Sequence, residues 1–370
     1  MNIKKELKKV DLPLLIATIL LLIIGIVAVT SASFPTAKKY DYNSFHYAIR
    51  QAVFLVMGII ALIFILKVPR NVLYKNIDWI FVLSLMLIGL LWTPAGVKVY
   101  GQARWLRIPG VGILFQPSDI LKVTSIVFFA KYLSKNINKL KDPVVFIKIL
   151  AILGISVVPV MIKDFSTAVV IGISLFAMLV CAGLNKKQFG VLVLLGAILV
   201  AIMLTNEDYY YRIKRILGFV SDSTDYLSAD LYQARQSLYA FALGGYTGVG
   251  LFRSRQKYTN LPQAYTDFIY SVIAEEFGLI GCMLVLILFV VYIYRGYIIA
   301  VKTTNYFDKL TAVGITTFIG IQAFFNMGVA AKLLPVTGIT LPFISYGGSA
   351  LIMAIASTAI LLKISAGGKN

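Results

Sequence analysis

The 370-residue chain has little of what soluble enzymes commonly use for metal or nucleophilic chemistry. It contains two cysteines, Cys181 and Cys282, and one histidine, His46. Each cysteine lies inside an apolar run, so neither a disulfide nor a zinc site is expected. His46 has no serine or cysteine partner pattern, and we expect it to be a surface residue. The sequence also lacks a Gly-x-x-x-x-Gly-Lys-Ser/Thr motif, which excludes a phosphate-binding loop for nucleotides.

Acidic residues are scarce as well. The chain has 16 Asp and Glu against 35 Lys and Arg, which gives a net charge of +19. Such a charge can indicate nucleic-acid binding, but here the basic residues lie in short segments between long apolar runs. Hydrophobic residues make up 59% of the chain and charged ones only 14%. This composition is typical of a polytopic membrane protein and gives no reason to expect nucleic acid as a partner.

Apolar runs of about 20 residues, long enough to cross a bilayer as helices, recur from one end of the chain to the other. Backbone groups in lipid must be paired within their own segment, so each run is expected to be α-helical. We therefore predict an all-α fold, with a single polytopic membrane domain over 1–370 and ten transmembrane helices. Their predicted bounds are 12–33, 48–67, 77–94, 115–133, 144–161, 165–183, 188–204, 268–294, 309–330 and 347–364.

Basic residues are concentrated in alternate connecting segments. Lys4, Lys5, Lys8 and Lys9 precede the first span, and the segments on the same side hold most of the other basic residues of the short loops. The positive-inside rule then places both termini in the cytoplasm. The long segment 205–266 would be extracytoplasmic. Its aromatic and apolar content argues against disorder, and we expect short helices lying on the membrane surface.

Polar residues within spans are costly, so they are functional candidates by default. In the predicted topology, they gather at the outer ends of several spans. Asp119 and Lys122 could instead only pair with each other, since they are three residues apart on a helix. Asp267 begins the eighth span beside a basic segment, where a carboxylate could also cap the helix. The supporting polar candidates are Gln116, Asp119, Asp164, Glu275, Glu276, Gln322 and Asn326.

Several of these candidates also have a purely structural interpretation. Gln322 and Asn326 are four residues apart on one helix face and could simply hold helices together. Glu275 and Glu276 face different sides of their helix. We therefore expect at most one of the two to line a cavity, while the other caps a neighbouring helix.

Four blocks of sequence resemble a known family and together extend over essentially the whole chain. They are Arg104–Leu106 with Gln116–Lys122, then Asp164–Ala168, the long stretch Gln236–Glu276, and Leu334–Ser349. The chain resembles the shape, elongation, division and sporulation family, which includes FtsW, RodA and SpoVE. It departs from the family pattern at Asp119, where a glutamate is usual.

The resemblance implies a peptidoglycan glycosyltransferase that polymerises lipid II on the outer face of the cytoplasmic membrane. Asp267 matches the position of the family's essential aspartate and would be the catalytic general base. The departing undecaprenyl diphosphate would need basic side chains or a divalent cation, Mg or Mn. The candidates for binding the substrate and its diphosphate are Arg104, Lys122, Arg253, Arg255, Lys257, Lys332, Ser345 and Tyr346.

The resemblance also implies a partner, a class B penicillin-binding protein that acts as the transpeptidase. Two other functions stay open: a lipid II flippase, and a non-catalytic scaffold of the division or elongation machinery. A flippase needs a polar route through both leaflets, whereas the polar residues here crowd the outer half of the bundle. A scaffold would tolerate the replacement of Asp267.

Overall fold

The computed structural model describes residues 10–99, 102–107, 114–205, 229–259 and 261–367. Within these ranges, ten long helices follow one another in the order of the ten predicted spans. Two shorter helices lie between the seventh and the eighth of the long helices. The predicted helical membrane fold is thus confirmed. The helices are α1 (Leu12–Lys39), α2 (His46–Lys67), α3 (Arg70–Gly89), α4 (Pro117–Lys135), α5 (Pro143–Lys163), α6 (Phe165–Ala182), α7 (Lys186–Thr205), α8 (Ala229–Gly244), α9 (Gln256–Thr259), α10 (Ile269–Lys302), α11 (Tyr306–Ala330) and α12 (Gly348–Gly367).

Eight of the long helices are long and apolar enough to cross a membrane, and α4 is not among them because it carries four charged residues. Helix α4 nevertheless lies in the interior, packed against α3, α6, α11 and α12. Its Asp119 and Lys122 are both buried. By contrast, α2 buries only 17% of its most apolar stretch, as expected of a lipid-facing helix. The charges of α4 are therefore surrounded by protein, where they can be paired.

The bundle has two ends, which we call the Asp267 end and the terminal end. At the terminal end, the backbone N–H of Asp11 donates to Ser365 Oγ at 3.0 Å. Asp11 also forms an ion pair with Arg295 at 2.5 Å. The first and last spans therefore begin and finish on the same side, as an even number of spans requires.

A small sheet at the Asp267 end was not predicted. Strands β1 (Gly96–Val99), β2 (Gln102–Arg107) and β3 (Leu114–Phe115) form an antiparallel sheet in the order β1-β2-β3, between α3 and α4. Trp105 of β2 pairs with Val97, and a bulge follows between Val97 and Lys98. The sheet fixes the position of Arg104, which the sequence analysis had placed in a loop.

Helix α10, predicted as one continuous span, is interrupted at Gly278, whose φ is 65° and ψ is −161°. The glycine-rich turn 244–250 supplies hydrogen-bonding partners for backbone groups on both sides of this interruption. Val249 N donates to Glu275 O at 2.9 Å, and Leu279 N donates to Gly245 O at 2.9 Å. The turn is thus inserted against a discontinuous helix, which is tolerated in a membrane only where other protein groups pair with the open backbone.

Close approach explains the glycine at position 248. Its φ is 81°, and a Cβ built there would lie 2.2 Å from Glu276 O. Only glycine fits such a backbone and such a contact. Nothing in the sequence shows which helix this turn meets.

Helix α8 packs on α10. Its buried face repeats every three residues and includes Leu231, Ala234 and Ser237. Ser237 Oγ lies 2.5 Å from Ser271 Oγ of α10. Residues 206–228, which also fall in the segment predicted to hold surface helices, lie outside the described residues.

Candidate active site at the Asp267 end

Asp267 lies two residues before α10 and is partly exposed. Its backbone carbonyl accepts a hydrogen bond from Asn326 Nδ2 at 2.8 Å. The same amide nitrogen donates to Ile339 O at 2.7 Å. Asn326 is buried on α11, so a rigid central helix holds the Asp267 segment against loop 331–347. The carboxylate is also close to this loop: a Cβ built on Gly338 would lie 3.8 Å from Asp267 Oδ2.

Ser345 joins the same two segments. Its hydroxyl donates to Thr266 O at 2.6 Å and accepts from Leu341 N at 2.7 Å. Its carbonyl accepts from the buried Gln51 Nε2 of α2 at 3.2 Å. Ser345 was predicted to bind substrate, but both contacts of its hydroxyl are with backbone. Its role in this geometry is to position the residue before Asp267.

Asp119 and Lys122 pair with each other on α4, at 2.8 Å. Lys122 Nζ also donates to Gln322 Oε1 at 3.4 Å, and Gln322 Nε2 donates to Thr340 O at 3.0 Å. Ser349 Oγ donates to Asp119 Oδ2 at 2.6 Å. Lys122 is thus engaged within the protein beneath the Asp267 site. We assign it to holding loop 331–347 rather than to direct contact with a diphosphate.

Asp164 extends the polar network toward the sheet. Its Oδ2 accepts from Gln116 Nε2 at 2.9 Å and from Thr167 Oγ1 at 2.7 Å. Its Oδ1 accepts from Thr167 N at 3.3 Å and so caps the start of α6. Arg104 approaches Asp164 at 3.9 Å and donates from Nε to Lys163 O at 3.0 Å. The side chain of Arg104 is 30% exposed, which leaves part of the guanidinium accessible at this end of the bundle.

Glu275, Glu276 and Lys257 form a separate cluster beside the helix break. Lys257 Nζ lies 2.5 Å from Glu276 Oε1, and both side chains are almost completely buried. Ser31 of α1 donates to the same carboxylate oxygen at 2.6 Å. Glu275 accepts from Arg255 N at 2.7 Å and thereby caps α9. Lys257, which was predicted to bind diphosphate, has its charge paired with Glu276 inside the protein in this structure.

Three predicted cationic residues stay accessible. Arg253 and Arg255 are exposed in the segment before α9, and Lys332 is partly exposed in loop 331–347. Lys332 has a φ of 52°, so it sits at a left-handed turn directly after α11. Together with Arg104, these are the predicted diphosphate-binding residues that the structure leaves in contact with solvent or lipid.

Tyr346 lies beside Asp267 through its neighbour Tyr265, whose carbonyl accepts from Tyr346 N at 2.9 Å. Burial raises the pKa of Tyr346, and a hydrogen bond from Arg50 opposes this shift without cancelling it. The hydroxyl is therefore protonated at physiological pH. Tyr346 can donate or accept a hydrogen bond but cannot serve as a base.

Sequence reasoning missed several residues of this site. Gln51 donates to the carbonyl of Ser345, and Ser349, just after loop 331–347, donates to Asp119. Ser31 accepts from Lys257 beside the buried Lys257–Glu276 pair. Gln51 had a usable signal, because it is the only polar side chain of its predicted span apart from Arg50 and Lys67 near the ends. The serines had none, since small hydroxyl residues are common in membrane helices.

Within the described residues, no group of three His, Cys, Asp or Glu side chains could hold a metal ion. Asp119 and Asp164 each face a basic side chain instead. A complete metal cage built by the protein does not fit these residues. A divalent cation bound by one carboxylate and by phosphate oxygens of the substrate remains compatible with Asp267.

Residues 12–370 match the family of FtsW, RodA and SpoVE, described as cell cycle proteins. The chain belongs to this family. Among FtsW, RodA and SpoVE relatives, it is 38% identical to stage V sporulation protein E of Bacillus subtilis, over 96% of each chain. It is 35% identical to the probable peptidoglycan glycosyltransferase FtsW of Idiomarina loihiensis, over 93% of this chain and 84% of that one.

Solved structures show the same family fold. One chain, from a structure described as "Structural coordination of polymerization and crosslinking by a peptidoglycan synthase complex", aligns with a TM-score of 0.77 at 23% identity. That alignment covers 96% of this chain and 97% of the other. The Thermus thermophilus rod shape determining protein RodA aligns with a TM-score of 0.70 at 22% identity, over 96% of both chains.

Proposed function

We propose that this chain is a peptidoglycan glycosyltransferase, which polymerises lipid II on the outer face of the cytoplasmic membrane. The observation that carries the proposal is the placement of Asp267, a partly exposed carboxylate braced through its backbone by Asn326. The exposed Arg253 and Arg255 precede it on the same connecting segment, and the partly exposed Lys332 belongs to loop 331–347, which packs against it. The relatives named as probable peptidoglycan glycosyltransferases support this assignment.

The chemistry assigns Asp267 the role of general base. A sugar hydroxyl of one substrate attacks the anomeric carbon of another, and its proton passes to the Asp267 carboxylate. The bond from the anomeric carbon to the diphosphate oxygen breaks, and the diphosphate leaves with the electron pair. Arg253, Arg255, Lys332 and Arg104 are the accessible cations that would stabilise this charge. No nucleotide is needed, because the leaving diphosphate already activates the sugar.

A divalent cation, Mg or Mn, fits this scheme as a component that arrives with the diphosphate. Asp267 would be its protein ligand and phosphate oxygens would supply the others. When bound, such an ion neutralises charge that develops on the leaving group. The protein residues still position the substrates and accept the proton.

The orientation follows from charge. The terminal end carries most basic residues of the short segments, so it would face the cytoplasm together with both termini. The Asp267 end would then face outward, where lipid II is consumed. A class B penicillin-binding protein would be the partner that cross-links the product, in keeping with the peptidoglycan synthase complex that shares this fold.

A flippase is the second candidate, and the charge distribution disfavours it. Helix α10 has no charged residue between Glu276 and Arg295, and α4 has none between Lys122 and Lys131. These two helices thus offer no charged partner for a headgroup in the middle of the bundle. A route for a diphosphate headgroup would need polar partners at each depth.

Lipid II polymerisation in detergent tests the proposal. The purified protein, in complex with its penicillin-binding protein and with the transpeptidase blocked by penicillin, should convert lipid II into a ladder of glycan strands. Asp267→Asn should yield none, while the control Asp142→Asn should polymerise normally, because Asn caps α5 as well as Asp does. A flippase would give no polymer with any variant. A scaffold would likewise give none, and its Asp267→Asn form would still support growth.

A further inference from the structure

Five rings at the Asp267 end form a continuous series that the proposed chemistry does not use. We call Tyr42, His46, Tyr47, Tyr265 and Tyr346 the aromatic track. Tyr42 stacks on His46 with ring centroids 4.4 Å apart, and His46 meets Tyr47 edge-on at 5.2 Å. Tyr47 in turn contacts Tyr265 at 4.9 Å and Tyr346 at 5.3 Å. Such spacings are those of stacked and edge-to-face pairs.

The inner end of the track reaches the candidate active site. Tyr265 lies two residues before Asp267, and its carbonyl accepts from Tyr346 N at 2.9 Å. Ser345 fastens the same two segments by donating to Thr266 O. These two hydrogen bonds therefore hold the backbone of Tyr265 and Tyr346 next to Asp267.

The outer end of the track is open. Tyr42 is 50% exposed, whereas Tyr47, Tyr265 and Tyr346 are partly buried. The track thus has its exposed ring at the outer end. Four of the five rings are tyrosines, so the track combines flat apolar faces with hydroxyl groups.

These properties match a saccharide chain better than the other parts of the substrate. A pyranose ring presents a face of C–H groups, which stacks on the electron-rich face of an aromatic ring, and a rim of hydroxyls, which bond to tyrosine OH groups. A diphosphate would instead select cations, whereas the track is built from aromatic rings, which Arg50 contacts at Tyr346. A lipid tail would select aliphatic side chains.

Membrane proteins also carry tyrosines at the bilayer interface as anchors. Anchoring does not require rings from three separate segments to contact one another. Here Tyr42 to Tyr47, Tyr265 and Tyr346 come from three segments and meet beside the segment that carries Asp267. Convergence is what a path to a reaction centre requires.

We propose that the aromatic track binds the glycan strand next to the active site and keeps it there between successive additions. This inference rests on the proposed glycosyltransferase function and adds a polymer subsite to it. The track would set the length of the product, because a strand that stays bound is extended again before it dissociates.

Two measurements test the subsite. The first is strand length during polymerisation by the complex with the penicillin-binding protein. Tyr42→Ala should give shorter strands at an unchanged initial rate of lipid II consumption. The matched control is Tyr246→Ala, because Tyr246 is 79% exposed and lies outside the track. Tyr47→Leu is a second variant, accepted only where its Tm equals that of the parent protein.

The second measurement is direct binding without turnover. Lipid-free, un-cross-linked glycan strands released by an amidase are titrated onto the complex that carries Asp267→Asn. Adding Tyr42→Ala should weaken the binding about tenfold, as the loss of a stacking contact implies, while adding Tyr246→Ala should not. Absence of strand binding, or equal affinities and strand lengths for the track variants and the control, would overturn the proposal. If no variant polymerised lipid II, the proposed function would fail, and the binding measurement would still decide on the saccharide subsite.

Discussion

The buried ion pair between Lys257 and Glu276 should be a main support of the helix break. Nζ and Oε1 are 2.5 Å apart, and the two side chains are 0% and 1% exposed. Removing one partner of such a pair leaves an unpaired buried charge, at a cost of about 3–5 kcal/mol. We expect Glu276→Gln and Lys257→Met each to destabilise the protein by about this amount. The double variant should recover most of the loss, because it leaves neither charge behind.

The assay is thermal unfolding of the detergent-solubilised protein, followed by intrinsic fluorescence, for the parent, both single variants and the double variant. Each single variant should lower the Tm by several degrees. The control is Lys39→Met, which removes an exposed lysine at the end of α1. The reasoning would be refuted if the effects of the two single variants simply added in the double variant. That result would mean that the two charges are not coupled.

Three further predictions concern the site and its frame. Asn326→Leu removes two backbone contacts of the Asp267 segment and loop 331–347 and should destabilise the protein by about 1–3 kcal/mol; polymerisation should fall as well, and full activity with this variant would contradict the bracing role. Gly248→Ala should lower the yield of folded protein and the Tm, because its Cβ would meet Glu276 O. Gly245→Ala also has a positive φ but has open space around its Cβ, so its effect should be milder; equal effects of the two variants would rule out the clash. Chelation by EDTA should reduce polymerisation, with recovery on adding Mg or Mn, but should leave the Tm unchanged; a lowered Tm would instead reveal a structural metal site.

Much of the architecture could be predicted from the sequence, because apolar length alone forces helices in a membrane. The ten long helices lie near the positions of the ten predicted spans, although α3 begins seven residues before the predicted 77. The pairing of Asp119 with Lys122 was also accessible, since helical spacing of three residues places the side chains together.

Other features could not be predicted because their causes are remote in sequence. Gly278 looks like any glycine in an apolar run, and the carbonyls that accept from Leu279 N and Ile280 N after it belong to Gly245 and Tyr246 of the remote turn. Lys257 looked like a phosphate ligand because it lies in a basic segment, whereas its partner Glu276 is 19 residues further along the chain and Ser31 is 226 residues away. The three strands are too short and too mixed in composition to give a clear alternating pattern.

The central claim is that Asp267 accepts a proton during glycosyl transfer, and single-turnover kinetics test it most directly. Lipid II is bound to the complex that carries Asp267→Asn, and binding and the rate of bond formation are measured separately. A general base contributes about 10²–10⁴-fold to a rate. We expect a loss of that size in the rate of bond formation, with lipid II affinity close to that of the parent protein. An unchanged rate, or a loss confined to lipid II affinity, would contradict the assignment of Asp267 as the base.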